Sequence, residues 1–239
     1  MVSFKNPLIV ALDVDTMKDA ARLADMLDPY AGAFKVGMQL YNSEGPEAVR
    51  LLRRKGAAVF VDLKLHDIPN TVAGAIRVLT RGGASILNVH AAGGKAMMRA
   101  AAEAAGDEAQ KLGIPVPLVV AVTVLTSIGQ EVFNREMGIP GNIRDRVVSW
   151  AVMAKEAGMG GVVASPREIA DIREACGKDF VIITPGVRPA GSAANDQKRT
   201  MTPAEAVNLG ASYLVVGRPI TAAPDPVEAA KSILKEIIP

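Results

Sequence analysis

Short apolar runs alternate along the chain with stretches whose apolar residues recur at helical spacing. The runs are five to eight residues long and rich in leucine and β-branched residues, which favours strands. Near-continuous apolar strands are typical of a parallel sheet that is buried on both faces. The pattern predicts strands at 8–12, 33–37, 58–65, 85–90, 118–124, 161–165, 180–184 and 213–217.

The segments between the strands predict helices. In the first segment Ala20, Leu23, Ala24 and Leu27 share one helical face, and a proline follows where a helix stop is expected. This pattern predicts a helix at about 17–27. Further helices are predicted at about 44–55, 68–80 and 94–105, and the longer connection 127–159 is expected to hold two helical pieces.

Eight strands, each followed by a helical pattern, indicate an α/β protein with the (β/α)8 TIM-barrel architecture. A doubly wound open sheet is the alternative, but no Gly-x-Gly-x-x-Gly follows the first strand, which weakens it. Because no linker or composition break interrupts the pattern, we expect residues 1–239 to form a single barrel domain.

The composition excludes several classes of protein. The chain is 49% hydrophobic and 22% charged, as expected of a globular domain, and its net charge of +2 does not argue for a nucleic-acid or membrane partner. The N-terminus lacks the apolar region of a signal peptide. The single cysteine, Cys176, cannot form an internal disulfide, which favours a reducing compartment. We therefore expect a cytoplasmic protein.

Charged residues lie where the predicted strands end. Asp13 ends strand 1, Lys35 lies within strand 2, Asp62 and Lys64 lie in strand 3, and Asp67 lies just beyond it. In TIM barrels the active site forms at the C-terminal ends of the strands. Buried charges are costly unless they are paired, so we expect Lys35, Asp62, Lys64 and an aspartate to form one alternating array. A salt-bridge network without a catalytic role is the alternative interpretation.

Strand geometry constrains the middle pair of this array. Side chains two residues apart point to the same face of a strand, about 6.6–6.8 Å apart. Asp62 and Lys64 should therefore share one face, and Leu63 and Leu65 the other. If the leucines face the helices, the two charges face the mouth of the barrel.

Two glycine- and arginine-containing segments follow the last strands. Barrels often bind a phosphate between the loops after strands 7 and 8, which here are 185–189 and 216–220. Glycine lets backbone N–H groups approach an oxyanion, and Arg218 could bind two phosphate oxygens at once. Residues 190–199 are small and polar, which is typical of a lid, and Gln197 could add a hydrogen bond on closure.

The two histidines do not suggest a metal site. A zinc site needs three or four suitably spaced ligands, and carboxylates beside lysines are poor metal ligands. We therefore interpret His66 and His90 as packing or supporting residues.

Taken together, these segments resemble the bacterial form of the orotidine 5′-monophosphate decarboxylase family, over nearly the whole chain. The resemblance rests on a specific set of motifs in a fixed order, with no departure at any motif position. The motifs are Leu12-Asp13-Val14-Asp15, Phe34-Lys35-Val36-Gly37, Asp62 to Thr71, Thr123 to Ser127, Pro185 to Pro189, Asp196 to Arg199 and Val216 to Ile220.

The resemblance implies a role for each candidate residue. Lys35, Asp62, Lys64 and Asp67 resemble the family's catalytic array, in which the last aspartate reaches across the interface of a homodimer. Asp67, Ile68 and Thr71 would thus complete the partner's site. The substrate-binding residues would be Lys35, Asp13 at the ribose, Thr126 at the pyrimidine, and Arg188, Gln197, Gly217 and Arg218 at the phosphate.

The reaction implied is conversion of OMP to UMP and CO2 in de novo pyrimidine biosynthesis, without metal or cofactor, through a C6 carbanion that Lys64 stabilises and protonates. Two alternatives stay open. A sugar-phosphate lyase of the same superfamily would need Mg²⁺ and carry an acidic residue on strand 2, where this chain has Lys35. A non-catalytic phosphate-ligand binding protein would leave the charged array unexplained.

Overall fold

The structure is a computed structural model that describes residues 4–188 and 201–238. Within these ranges all eight strands pair in parallel, and the last pairs with the first, so that the sheet closes in sequence order. The predicted (β/α)8 barrel is thus confirmed, and an open doubly wound sheet is excluded. The strands are β1 Leu8–Ala11, β2 Ala33–Gly37, β3 Val59–Leu65, β4 Ile86–His90, β5 Leu118–Val122, β6 Gly161–Val163, β7 Val181–Pro185 and β8 Tyr213–Val216.

Helices lie between the strands and cover the outside of the barrel. The connection after β5 holds a π-helical turn at Val132–Glu136 and then a longer helix, so the two predicted helical pieces are confirmed. No helix in the described ranges is long and apolar enough to cross a membrane. The helices are α1 Met17–Leu27, α2 Met38–Glu44, α3 Glu47–Arg54, α4 Pro69–Arg81, α5 Gly94–Leu112, α6 Ile143–Glu156, α7 Ile169–Cys176, α8 Pro203–Asn208, α9 Arg218–Thr221 and α10 Pro226–Ile237.

Two predicted helix boundaries were wrong, and glycines explain both. The helix predicted at 44–55 begins only at Glu47, as α3, because Gly45, with a φ of 64°, ends the preceding helix α2. The helix predicted to stop near 105 continues to Leu112, because Glu108 and Ala109 extend its buried face. It ends at Gly113, which takes the left-handed conformation that closes many helices.

The barrel has two apolar layers that follow the alternation of its strands. The larger cluster lies between the sheet and the helices, and includes the predicted α1 stripe of Ala20, Leu23, Ala24 and Leu27. Burial of one such leucine stabilises the fold by about 1.5–3 kcal/mol. The smaller cluster lies in the barrel interior: Ile9, Ala11, Ala33, Phe60, Ile86, Val120, Val181, Ile183 and Val215.

Candidate active site

A cavity of about 240 Å³ opens above the interior cluster, at the C-terminal ends of the strands. Phe60 and Val215 of that cluster form part of its lining. The charged side chains of Lys35, Asp62 and Lys64 line the cavity together with several apolar ones. This is where TIM barrels place their active sites.

Four charged side chains of this chain form a continuous array of alternating sign. The Nζ atom of Lys35 lies 2.9 Å from Oδ1 of Asp13 and 3.4 Å from Oδ2 of Asp62. The Nζ atom of Lys64 lies 2.6 Å from Oδ1 of Asp62. The aspartate that joins Lys35, Asp62 and Lys64 in one chain is therefore Asp13, which lies just beyond the end of β1.

Asp62 is the buried centre of the array, with only 8% of its surface exposed. Burial alone would raise the pKa of its carboxyl. The positive charges of Lys35 and Lys64, with hydrogen bonds from Lys64 and Asn88, outweigh burial and lower that pKa below its ordinary value. Asp62 is therefore held as a carboxylate between two ammonium groups.

Glycine at position 37 makes room for this arrangement. A Cβ atom on Gly37 would lie 2.7 Å from Nζ of Lys35 and 3.0 Å from Oδ1 of Asp13. Any larger residue would displace the lysine from the aspartate. The Phe34-Lys35-Val36-Gly37 segment thus supplies the ammonium group of Lys35 and, at Gly37, the room that this group needs.

Strand β3 is irregular where it carries Lys64. Val61 pairs with Leu87 and Leu65 with Val89, so three residues of β3 lie opposite the single residue Asn88 of β4. Lys64 has a φ of 52°, the only positive value among the described non-glycine residues. A side chain in this left-handed region costs about 1–2 kcal/mol.

The prediction for Asp62 and Lys64 assumed that β3 is regular up to its end, and this assumption was wrong at Lys64. The predicted outcome still holds, because Leu63 and Leu65 pack against the outer cluster while Asp62 and Lys64 line the cavity. A regular strand would keep the two charged side chains about 6.6 Å apart along its axis. In the irregular strand, Nζ of Lys64 instead donates a hydrogen bond directly to Oδ1 of Asp62.

The cavity lining also includes Thr126 and Ser127, beside apolar residues of β5 such as Val122. Thr126 is buried, whereas Ser127 is exposed. A flat, partly polar ring fits such a wall, since hydroxyl groups can bind its edge while apolar side chains contact its faces.

The predicted anion-binding residues lie beyond β7 and β8. Arg188 is half-buried, and its backbone N–H donates to the carbonyl of Met201. Arg218 is exposed in the first turn of α9. Gly217 lies near the ribose candidate, because a Cβ atom placed on it would be 3.6 Å from Oδ2 of Asp13. Gln197 and the predicted lid at 190–199 lie outside the described residues.

Asp67, Ile68 and Thr71 do not line the cavity of their own chain. All three are exposed, Ile68 by 67%, and they form the start of α4 and the residues before it. The Asp67 carboxylate accepts a hydrogen bond from the N–H of Ile68 and, within residues 4–188 and 201–238, makes no ion pair. Within its own chain Asp67 therefore lies apart from the array of Asp13, Lys35, Asp62 and Lys64, and its predicted place in a partner's array stays a prediction.

The two histidines lie beside the array and face each other, with ring centroids 5.4 Å apart. Burial lowers the pKa of His90, and electrostatic interactions with the nearby His66 and Lys64 lower it further. In the part of the chain that the structure describes, no group of three or more His, Cys, Asp or Glu side chains could hold a metal ion.

One residue that the sequence reasoning missed is Asn88 on β4. It is 2% exposed and donates to Oδ1 of Asp62 over 2.6 Å. Its signal in the sequence is a single amide within the otherwise apolar Ile86-Leu87-Asn88-Val89 run. Burial of an amide is costly without hydrogen bonds, so its partners could have been sought among the neighbouring charges.

Comparison with known proteins adds independent information. The model of the orotidine 5′-phosphate decarboxylase / HUMPS family matches residues 6–233. An orotidine 5′-phosphate decarboxylase of Moorella thermoacetica is 60% identical over 98% of this chain and 92% of its own length. One of Syntrophomonas wolfei is 55% identical over 96% of this chain and 97% of its own.

A solved structure gives the same result. The crystal structure of orotidine 5′-phosphate decarboxylase from Lactobacillus acidophilus superposes with a TM-score of 0.85 at 38% identity, covering 98% of this chain and 100% of that one. The resemblance inferred from the motifs is thus confirmed. From its fold, its family match and these relatives, this chain belongs to the orotidine 5′-phosphate decarboxylase / HUMPS family.

Proposed function

We propose that this chain converts OMP to UMP and CO2 in de novo pyrimidine biosynthesis, with the array of Asp13, Lys35, Asp62 and Lys64 as its catalytic centre. The observation that carries the proposal is the ammonium group of Lys64, which lines the cavity and is paired at 2.6 Å with the buried Asp62. The relatives at 60% and 55% identity bear the name of this activity.

The chemistry explains why a fixed cation is needed. When the bond between C6 and the carboxylate breaks, its electron pair remains in an in-plane orbital at C6, and CO2 leaves. The ring carbonyls cannot delocalise this pair by resonance, so electrostatic stabilisation is required. A positive charge held in advance in a site that excludes water stabilises such a carbanion far more than water does. Lys64 supplies that charge and then transfers a proton from Nζ to C6.

Asp62 has two effects in this scheme. Its carboxylate fixes the ammonium groups of Lys35 and Lys64, and it stays ionised because its pKa is lowered. Its negative charge also lies beside the carboxylate that leaves, where repulsion disfavours the bound substrate and is relieved as neutral CO2 forms. Both effects lower the barrier from the substrate complex.

Residues away from C6 bind the rest of the nucleotide. We assign the ribose hydroxyls to Asp13 and Lys35, and the pyrimidine edge to Thr126. The phosphate is assigned to Arg188, Gln197, Gly217 and Arg218, of which Gln197 rests on the motif resemblance alone. Phosphate binding far from the reacting carbon can supply the free energy that closes and orders the site.

A homodimer would complete the centre. We propose that Asp67, Ile68 and Thr71 of one subunit enter the site of the other, where Asp67 faces Lys64. Their exposure in one chain is compatible with this, because side chains that enter a partner's site must lie on the surface of their own chain.

The proposed mechanism uses neither metal nor cofactor. In the sugar-phosphate lyases an acidic residue on strand 2 takes part in the Mg²⁺ site, whereas this chain has Lys35, whose ammonium contacts both Asp13 and Asp62. A cation would have to displace that ammonium from its two carboxylates. We further propose that residues 1–239 act as one domain in the cytoplasm, the compartment that a single unpaired cysteine, Cys176, favours.

One assay tests this function. Purified protein is mixed with OMP and excess EDTA, and the pyrimidine absorbance is followed until it is constant. Complete conversion to UMP supports the proposal. A loss of activity that Mg²⁺ restores would favour the sugar-phosphate lyase chemistry, and nucleotide binding without any spectral change would favour a binding protein.

A further inference from the structure

The side chain of Asn88 joins the two residues at the centre of the array. Its Nδ2 donates to Oδ1 of Asp62 over 2.6 Å. Its Oδ1 accepts from the backbone N–H of Lys64 over 2.8 Å. The residue is almost completely buried, so these two bonds are not exchanged freely with water. One amide thus holds both the carboxylate and the backbone that carries the lysine.

The position of Asn88 in the sheet accounts for this double contact. Asp62, Leu63 and Lys64 of β3 lie opposite Asn88 alone, between the regular pairs Val61–Leu87 and Leu65–Val89. An irregularity of this kind leaves backbone groups without their ladder partners. The amide oxygen of Asn88 accepts from one of these groups, the N–H of Lys64, at the residue whose φ of 52° departs from a strand.

We propose that Asn88 is a positioning residue for the decarboxylation, which holds Asp62 and the left-handed backbone of Lys64 so that the ammonium group faces the cavity. This inference rests on the proposed catalytic roles of Asp62 and Lys64. It adds that their geometry is set from the neighbouring strand, by a residue that does not line the cavity itself.

The chemistry of the amide fits both partners. The carboxylate of Asp62 can only accept and the N–H of Lys64 can only donate, so the residue between them must offer one donor and one acceptor. Asparagine offers both at the right separation. Leucine has a similar volume but neither group, and alanine lacks both the groups and the volume. These two substitutions therefore separate hydrogen bonding from packing.

The test compares Asn88→Ala and Asn88→Leu with the wild type by steady-state kinetics on OMP, by UMP affinity and by thermal unfolding. The matched control is Thr184→Val on β7. Thr184 is fully buried and its hydroxyl has no hydrogen-bond partner in the described part of the chain. It shares a strand face with Ile182 of the outer cluster, away from the cavity. Thr184→Val should leave kcat and KM unchanged.

Both Asn88 variants should lose kcat by about 100-fold, the loss expected when a reacting group is misplaced by about 1 Å. The KM for OMP and the affinity for UMP should change less than about threefold, because the ribose and phosphate contacts are made elsewhere. Asn88→Leu should be no better than Asn88→Ala, although it restores the volume.

Two results would overturn the proposal. A kcat within about twofold of the wild type in folded Asn88→Leu would show that volume alone matters. A loss of kcat in the Asn88 variants that disappears when each is assayed well below its own melting temperature would show a purely structural role. Lys64→Ala is assayed in parallel: if it retains full turnover, the proposed function fails, whereas an inactive Lys64→Ala beside fully active Asn88 variants refutes only the positioning role.

Discussion

The Nζ atom of Lys64 lies 2.6 Å from Oδ1 of Asp62, although the backbone of Lys64 is left-handed and out of register with β4. The pair therefore forms through an irregular strand rather than through regular alternation. Buried ion pairs contribute little net stability once desolvation is counted. The strain and burial at this pair are better explained by catalysis, which gains from charges fixed in advance.

Asp62→Asn tests the charge at the centre of the array. The substitution keeps the shape of the side chain but removes the negative charge between the two lysines. We expect kcat to fall by about 100- to 1,000-fold, the usual effect of disturbing a preorganised electrostatic site. Turnover is measured by pyrimidine absorbance. Asp25→Asn is the control, since this exposed carboxylate pairs with Lys55 on the helical surface. Equal activity of the two variants would contradict the proposed role.

Asp62 should also contribute to stability against acid. Its pKa is lowered in the folded protein, so between its ordinary value of about 3.9 and the folded value the unfolded chain binds the proton first. The contribution is complete above the ordinary pKa and is lost as the pH falls through the folded one. The free energy of unfolding, measured by denaturant titration, should therefore fall more steeply with acidification in the wild type than in Asp62→Asn. Parallel pH curves for the two proteins would contradict this expectation.

Arg218→Ala should mainly weaken phosphate binding. Loss of one charge-assisted hydrogen bond of about 1.5–3 kcal/mol predicts a rise in KM for OMP of about 10- to 100-fold. Orotidine lacks the phosphate, so the variant and the wild type should process it equally slowly. Arg135→Ala is the control, because Arg135 is an exposed partner of Glu131 within one helical turn. If Arg218→Ala lost as much activity on orotidine as on OMP, Arg218 would act in a step other than phosphate binding.

Mixed dimers test whether Asp67 acts in the neighbouring site. Lys64→Ala and Asp67→Ala are each expected to be inactive, but a dimer with one copy of each would contain one complete site. Random assortment after co-expression should restore about one quarter of the wild-type activity. Lys64→Ala co-expressed with Asp62→Asn should restore none, since both residues belong to the same chain's array. Failure of the first pair to recover activity would refute the shared site.

Much of the fold could be predicted because each strand is buried on both faces. The apolar runs mark β1 to β8, and the buried stripe of α1 follows helical spacing. Helix ends were less predictable where a glycine's effect depends on its surroundings. Gly45 ends α2 with a φ of 64°, whereas Gly106 lies inside α5 among buried alanines. Local sequence does not distinguish these two outcomes.

In the site, charge and position indicated Lys35, Asp62 and Lys64, because buried charges at strand ends require partners. The left-handed backbone of Lys64 could not be foreseen, since periodicity assumes a regular strand. Asn88 was missed for a related reason: its partner on β3 is set by the register shift, which only the three-dimensional pairing reveals. The distance of Asp67 from the array likewise depends on the path of the chain before α4.

The most direct test of the account is the turnover of Lys64→Ala, measured beside its affinity for UMP. Lys55→Ala, which removes a lysine from an exposed pair, serves as the control. The account predicts that Lys64→Ala loses kcat by at least about a thousandfold while UMP binding remains detectable, and that Lys55→Ala behaves as the wild type. Turnover like that of the wild type in a folded Lys64→Ala enzyme would contradict the central claim that this ammonium group drives the decarboxylation.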